Sequence, residues 1–183
     1  MSVTLVLGGA RSGKSRYAES LLRGHLSVTY VAPGDVPDGS DPEWSERISL
    51  HQARRPREWS TLETTDLAAV IQASQHPVLI DCLSTWVTHL IDNIDAWQDR
   101  ARAASHLENE TARLLDALGS APVDVVLVTN EVGSSVVPST SSGRMFRDDL
   151  GRLNAAVSAV SDSVFLVVAG RVLDFTGCPV VGD

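Results

Sequence analysis

An α/β fold, with a mostly parallel sheet covered by helices on both faces, is what this sequence predicts, and three observations predict it. Short, continuously apolar runs recur along the chain, the pattern of strands buried on both faces. Segments with apolar residues at helical spacing alternate with them. A glycine-rich turn joins the first apolar run to the first helical segment.

The elements follow in order. Val3–Leu7 (VTLVL) is apolar and ends at Gly8-Gly9, so it reads as a buried strand. From Ser15 to Arg23 the spacing is helical, with Tyr17, Ala18, Leu21 and Leu22 expected on one face. Val28–Ala32 (VTYVA) reads as a second buried strand. Pro33 to Pro42 holds three prolines, two glycines and three aspartates, a loop composition. Asp41 is placed to cap a helix from Pro42 or Glu43 to about Ala53, which Arg54-Arg55-Pro56 ends.

Trp59–Glu63 reads as a short strand, and Asp66 as the cap of a helix through Ser74. Val78–Ile80 is a buried strand that ends in Asp81, and Leu83–Ile91 is helical. Asp99–Leu118 is a longer amphipathic helix, Val123–Val128 a strand, and Thr129–Ser142 a Ser- and Gly-rich loop. Gly143–Val160 is helical, Val164–Val168 a strand, and Arg171–Phe175 a terminal edge strand. Pro33 to Glu63 is the least regular region and reads as an insertion over a site.

Length and composition narrow the function. The 183 residues suit one domain. The apolar share of 43% supports a packed core without staples. A formal charge of −8 disfavours binding to a phosphate backbone, so no nucleic-acid partner is expected. No apolar run approaches the ~20 residues of a membrane span, and no basic region precedes the first strand. Cys82 and Cys178 form no metal-like cluster. A reduced, cytoplasmic chain is expected.

Gly8-Gly9-Ala10-Arg11-Ser12-Gly13-Lys14-Ser15 satisfies the phosphate-loop pattern GxxxxGK[ST], between a strand and a helix as that pattern requires. Glycines let backbone N–H groups wrap phosphate oxygens, and the helix N-terminus favours the anion. Lys14 supplies charge to the β- and γ-phosphates, and the Ser15 hydroxyl is a hard ligand suited to Mg²⁺. Asp81, at the C-terminal end of a buried strand, has the form of the acid on the Mg²⁺ side of such sites. Its other reading is a cap for the helix at Leu83. Together these residues describe a Mg²⁺–nucleoside triphosphate site in residues 1–183, taken as a single nucleotide-binding catalytic domain. Thr129-Asn130-Glu131-Val132-Gly133 is a third polar cluster at the same edge, and plain turn chemistry accounts for it equally.

His51 stands out among five histidines because Arg54 and Arg55 follow it. An imidazole can attack phosphorus and pass the group on, with arginines neutralising the phosphate. Spacing alone favours a solvated basic surface near a helix end. His25, His76, His89 and His106 carry no comparable pattern.

The sequence resembles the bifunctional adenosylcobinamide kinase / adenosylcobinamide-phosphate guanylyltransferase family of cobalamin synthesis. The resemblance rests on GGARSGKS, YVA at Tyr30–Ala32, ERI…H…RRPREW from Glu46 to Trp59 and T-x-E at Thr61–Glu63. It continues collinearly through VLIDCLSTWVT at Val78–Thr88, VTNEVG at Val128–Gly133, VVP at Val136–Pro138, FRDDLGRLN at Phe146–Asn154 and LVVAG at Leu166–Gly170.

The resemblance implies a P-loop NTPase, RecA-like fold and two reactions. A nucleoside triphosphate, ATP or GTP, phosphorylates the aminopropanol hydroxyl of adenosylcobinamide. GTP then guanylylates His51, and the GMP moves to adenosylcobinamide phosphate, giving adenosylcobinamide-GDP. By the same resemblance, Gly8 to Ser15 hold nucleotide phosphates, with Lys14 catalytic and Ser15 and Asp81 toward Mg²⁺. Ala32, Pro33 and Gly34 contact GTP, and Gln52, Ala53, Arg54 and Arg55 line the bound guanylate. Glu63 and Asp81 are further nucleotide-contacting acids. Glu63 suits a base reader, since a carboxylate accepts from guanine N1–H and N2–H₂, which adenine lacks.

A homotrimer with sites between subunits is also implied. The chain departs from the family pattern at Pro33 (often Thr), Gln52 (commonly basic), Ala155 (usually Gln) and Ser134-Ser135. These departures touch loop contacts and leave the phosphate loop and His51 intact. Two other readings stay open from the residues: a single-step P-loop small-molecule kinase and a non-catalytic GTP-sensing module.

Overall fold

The computed structural model describes residues 1–34 and 55–181. The helix expected from Pro42 or Glu43 to Ala53 and most of the loop before it lie outside the described residues. Within them the strands are β1 (Val3–Gly8), β2 (Thr29–Ala32), β3 (Ser60–Glu63), β4 (Val78–Asp81), β5 (Val125–Asn130), β6 (Ser163–Val168) and β7 (Arg171–Asp174). The helices are α1 (Lys14–Leu21), α2 (Leu67–Ala73), α3 (Leu83–Asn93), α4 (Arg100–Gly119) and α5 (Ser141–Val160).

The strands form one sheet in the order β3-β2-β4-β5-β1-β6-β7. Each pair from β3 to β6 is parallel, and β7 closes one edge antiparallel to β6. Parallel pairing puts the C-terminal ends of β1 to β6 on one rim, where the connecting loops of such sheets bind ligands.

Period-2 alternation divides the core between the two faces. Leu5, Val31, Val78, Ile80, Val125 and Leu127 pack with α2–α5 residues such as Leu67, Trp86, Leu114 and Leu150. Their neighbours Val6, Tyr30, Leu79, Val126 and Val128 point the other way and pack with Ala18 and Leu22 from the α1 segment, and with Trp59. Thus α1, which lies against β1, β4, β5 and β6, covers the second face.

Trp86 is fully buried and donates through Nε1 to the Thr65 carbonyl at 2.7 Å, satisfying its one polar atom. At the rim opposite the site, Asp124 accepts from the Ser2 backbone N–H and Asp162 from that of Val3, both at 2.7 Å. These bonds fix where β1 enters the sheet. The expected caps form: Asp66 accepts from Ala69 N–H at 3.3 Å, and Asp99 from Arg102 N–H at 3.1 Å.

Three sequence expectations shift. The strand expected at Val123–Val128 starts at Val125 and runs on through Thr129 and Asn130, because these residues pair with Leu7 and Gly8 of β1. Tertiary pairing outweighs their turn preference. The last long helix starts at Ser141, ahead of the expected Gly143, because Thr140 caps it by accepting from Gly143 N–H at 3.1 Å. On α1, Leu21 is 38% exposed while Glu19 is 7% exposed, so the buried stripe passes through Ala18, Glu19 and Leu22. The stripe is rotated toward the Tyr30 side of the sheet, where the Glu19 charge acts on the Tyr30 phenol.

Candidate nucleotide site

The phosphate loop leaves β1 at Gly8. A Cβ there would lie 2.5 Å from Ser12 Oγ and 2.6 Å from the Val167 carbonyl oxygen, so only glycine fits between the loop and β6. Arg11 is left-handed (φ 56), and Gly13, at φ 99, turns the chain into α1 as its N-cap. The loop holds its shape through its own backbone. Ser12 N–H donates to Gly9 O at 3.3 Å, Tyr17 N–H to Gly13 O at 3.0 Å, and Gly170 N–H, from the β6–β7 turn, to Ser12 O at 3.0 Å. Lys14 lies over the loop and donates through Nζ to Gly9 O at 3.2 Å. The first turn of α1 carries no acidic residue, so nothing there opposes an anion at the helix N-terminus.

Two strands away, β4 ends in Asp81, level with Val128 of β5 and hence with Val6 of β1. The cap of α3 is Cys82 and not Asp81, which removes the helix-cap reading of that acid. The Asp81 carboxylate instead accepts from the Tyr30 hydroxyl at 3.1 Å. Tyr30 is buried, and its ring carries the Arg55 guanidinium 3.3 Å from its centroid. Burial first, then the Asp81 charge, push the phenol well above its ordinary range, with Arg55 opposing, so Tyr30 remains a donor. Arg55 also donates through Nη1 to Thr61 Oγ1 of β3 at 3.1 Å. Glu63 ends β3, is exposed, and pairs in register with Ala32 at the end of β2. Pro33 is buried beside Ala32, and Gly34 is half-buried.

One rim therefore gathers Gly8 to Ser15, Ala32 to Gly34, Glu63 and Asp81, with Arg55 reaching the Asp81 partner. His51, Gln52, Ala53 and Arg54 lie outside the described residues.

Sequence reasoning left a further polar network unassigned. Asn130 ends β5 between the strands of the loop and of Asp81. It donates through Nδ2 to Ser84 Oγ at 3.0 Å, and its Oδ1 is buried without a hydrogen-bond partner among the described residues. Asn154 of α5 accepts from Thr129 Oγ1 at 2.7 Å and donates to the Asn130 carbonyl at 3.0 Å. Cys82 Sγ lies 2.8 Å from Ser84 Oγ and 3.0 Å from Thr85 Oγ1. The signal was present in VTNEVG and in the Asn that closes FRDDLGRLN, but a turn accounts for the first as well. Tyr30 lies within YVA, and a tyrosine inside an apolar strand reads as core.

The donor chemistry fits Mg²⁺: a serine hydroxyl at the head of α1 and a strand-end carboxylate are hard oxygen ligands. Among the described residues no three His, Cys, Asp or Glu cluster as a metal cage.

Residues 4–175 match the family described as cobinamide kinase / cobinamide phosphate guanyltransferase. The chain is 39% identical over 176 residues to the bifunctional adenosylcobalamin biosynthesis protein CobU of Escherichia coli K12, covering 91% of this chain and 95% of that one. It is 38% identical over 180 residues to the bifunctional adenosylcobalamin biosynthesis protein CobP of Pseudomonas aeruginosa, covering 96% and 98%. Among solved structures, an ATPase from a bacterial type III secretion system aligns with a TM-score of 0.58 at 11% identity. The alignment covers 90% of this chain and half of that longer one, and it bears on the fold alone. It supports the P-loop NTPase arrangement seen in the loop and sheet.

Proposed function

The chain belongs to the cobinamide kinase / cobinamide phosphate guanyltransferase family, and on that premise we propose how its residues divide the work. Its function is that of a bifunctional cobinamide kinase and cobinamide-phosphate guanylyltransferase of adenosylcobalamin biosynthesis. The observation that carries the residue assignment is the single rim on which the phosphate loop, Ala32–Gly34, Glu63 and Asp81 meet.

In the kinase step, the loop amides and Lys14 hold the triphosphate of ATP or GTP. The aminopropanol hydroxyl of adenosylcobinamide attacks the γ-phosphorus, the bond to the β-phosphate oxygen breaks, and the nucleoside diphosphate leaves. Lys14 follows the charge moving onto that leaving oxygen. To do so it gives up its bond to Gly9 O. Ser15 and Asp81 would hold Mg²⁺, which when bound neutralises phosphate charge.

In the second step, a ring nitrogen of His51 attacks the α-phosphorus of GTP and pyrophosphate leaves. A phosphate oxygen of adenosylcobinamide phosphate then attacks the same phosphorus. The P–N bond breaks, giving adenosylcobinamide-GDP and free His51. Arg54 and Arg55 neutralise the guanylate, Gln52 and Ala53 line it, and Glu63 reads the guanine edge.

The reading extends to the whole molecule. Residues 1–183 act as one catalytic domain in a cytoplasmic homotrimer without nucleic-acid partners. No helix among the described residues is long and apolar enough to cross a membrane.

Intact mass after incubation with GTP and Mg²⁺ tests the histidine. The expected result is an acid-labile gain of one GMP in wild type and none in His51→Ala. Tight GTP binding without an adduct in wild type would favour a single-step kinase or a GTP sensor.

A further inference from the structure

We propose that Tyr30 is a positioning residue: it fixes the Asp81 carboxylate at the phosphate-loop rim and is itself held by Arg55, which joins the chain after His51 to that acid. The proposal deepens the site described above and rests on reading Asp81 as the acid on the Mg²⁺ side.

The geometry is a stack of three groups. Asp81 ends its strand, one residue beyond the last register pair of β4 with β2. Tyr30 and Leu79 are register partners on neighbouring strands. Asp81 lies two residues beyond Leu79, so its side chain emerges on the same face. The phenol therefore reaches along that face to the strand end and donates to Asp81 Oδ2 at 3.1 Å. A carboxylate has about four lone-pair sites, so this bond fixes its orientation while leaving acceptor capacity toward a metal or metal-bound water.

The ring cannot follow Asp81 if the acid turns. It is 2% exposed and packs in the cluster with Val28, Leu79 and Trp59. Its remaining face carries the Arg55 guanidinium at 3.3 Å. Arg55 is anchored to β3 through Thr61, and its Nε is buried without a hydrogen-bond partner among the described residues. Among the described residues the side chain is thus placed by ring stacking and the bond to Thr61, a placement sensitive to the ring beneath it. A displacement of the Arg55 guanidinium is felt at Tyr30 and, through the hydroxyl, at Asp81. Groups that orient a metal-side ligand matter at about the 10–100-fold level in metal affinity.

Two variants separate the links. Tyr30→Phe keeps the ring under Arg55 and deletes the bond to Asp81, whereas Tyr30→Leu deletes both. GTP binding is measured by titration calorimetry across Mg²⁺ concentrations and in EDTA. The expected result for Tyr30→Phe is a roughly tenfold rise in the Mg²⁺ needed for half-maximal tight binding, with binding in EDTA unchanged. At saturating Mg²⁺, Tyr30→Leu forms the GMP adduct roughly tenfold more slowly than Tyr30→Phe.

A wild-type Mg²⁺ profile in a folded Tyr30→Phe overturns the positioning role. A wild-type adduct rate in Tyr30→Leu overturns the link through Arg55. Asp81→Asn keeps the two levels apart: if it also leaves the Mg²⁺ profile unchanged, the metal-side reading of Asp81 is what has failed. If wild type forms no adduct, the His51 assignment fails, and the Mg²⁺ titration still decides the Tyr30–Asp81 link.

Discussion

Gly8→Ala puts the phosphate-loop geometry at risk with one methyl group. The new Cβ would sit 2.6 Å from the Val167 carbonyl oxygen and 2.5 Å from Ser12 Oγ. Heavy-atom contacts are optimal at about 3.5–4.0 Å, so each approach is too close by roughly 1 Å. Ser12 can change rotamer, although it is buried and its hydroxyl lies 3.4 Å from the Lys14 amide. The Val167 carbonyl cannot yield as easily, because β6 is paired to β1 at Gly8 itself. The start of the loop must therefore move off β6, carrying with it the N–H groups that wrap phosphate.

Overpacking of this kind costs about 1–3 kcal/mol of stability. A misplacement of ~1 Å at groups that position a reactant costs about 10²-fold. We expect urea unfolding to show the first figure and GTP titration to show a loss of affinity near the second. Gly9→Ala is the stability control, since nothing among the described residues lies within 4 Å of its added Cβ. It should fall within about 0.5 kcal/mol of wild type. A Gly8→Ala protein with wild-type stability and wild-type GTP affinity would refute the argument. Lost stability with intact affinity would confine Gly8 to packing and detach it from phosphate binding.

Asn154→Ala should cost about 2 kcal/mol in urea unfolding, because it leaves the buried Thr129 hydroxyl and the Asn130 carbonyl without their partner; a cycle with Thr129→Val in which the two changes simply add would show that the network is not a unit. Asp174 is the pH-dependent case. The Thr176 hydroxyl and then its backbone N–H hold the Asp174 carboxyl below its ordinary range, so the ionised form favours the fold. That contribution is present above the ordinary aspartate range and is lost as pH falls through the lowered folded value. Thr176→Val should melt below wild type near neutrality, and the gap should narrow in acid to what loss of the Val164 N–H bond to Thr176 Oγ1 leaves; a gap that does not change with pH would count against the pairing.

The strand and helix order was legible because each element is long enough for its period to show and is bounded by glycine, proline or a capping aspartate. The phosphate loop was legible because its chemistry is local, eight consecutive residues between a strand and a helix. Asp81 was half legible. A strand-end acid before a helix reads as a cap until the fold shows Cys82 in that place and the carboxylate paired to Tyr30. The polar ends of β5 were misread for a related reason. Thr129 and Asn130 are turn formers by local preference, and only their partners on β1, far away in sequence, make them strand.

Tyr30, Asn130 and Asn154 share what a linear reading cannot supply. Each is a buried or half-buried polar group whose partner lies 24 or more residues away. A buried polar group costs free energy unless it is paired, so each such residue marks a pairing that the fold must make. In this sheet the pairings converge on the rim that the phosphate loop occupies. Tyr30 reaches Asp81 along one face, while the Asn130–Asn154 network locks the end of β5 between the loop and that acid. Burial opposes polar residues most strongly in a sheet covered on both sides. Their concentration beside the loop therefore points to the work of holding a nucleotide site, rather than to the packing of the sheet.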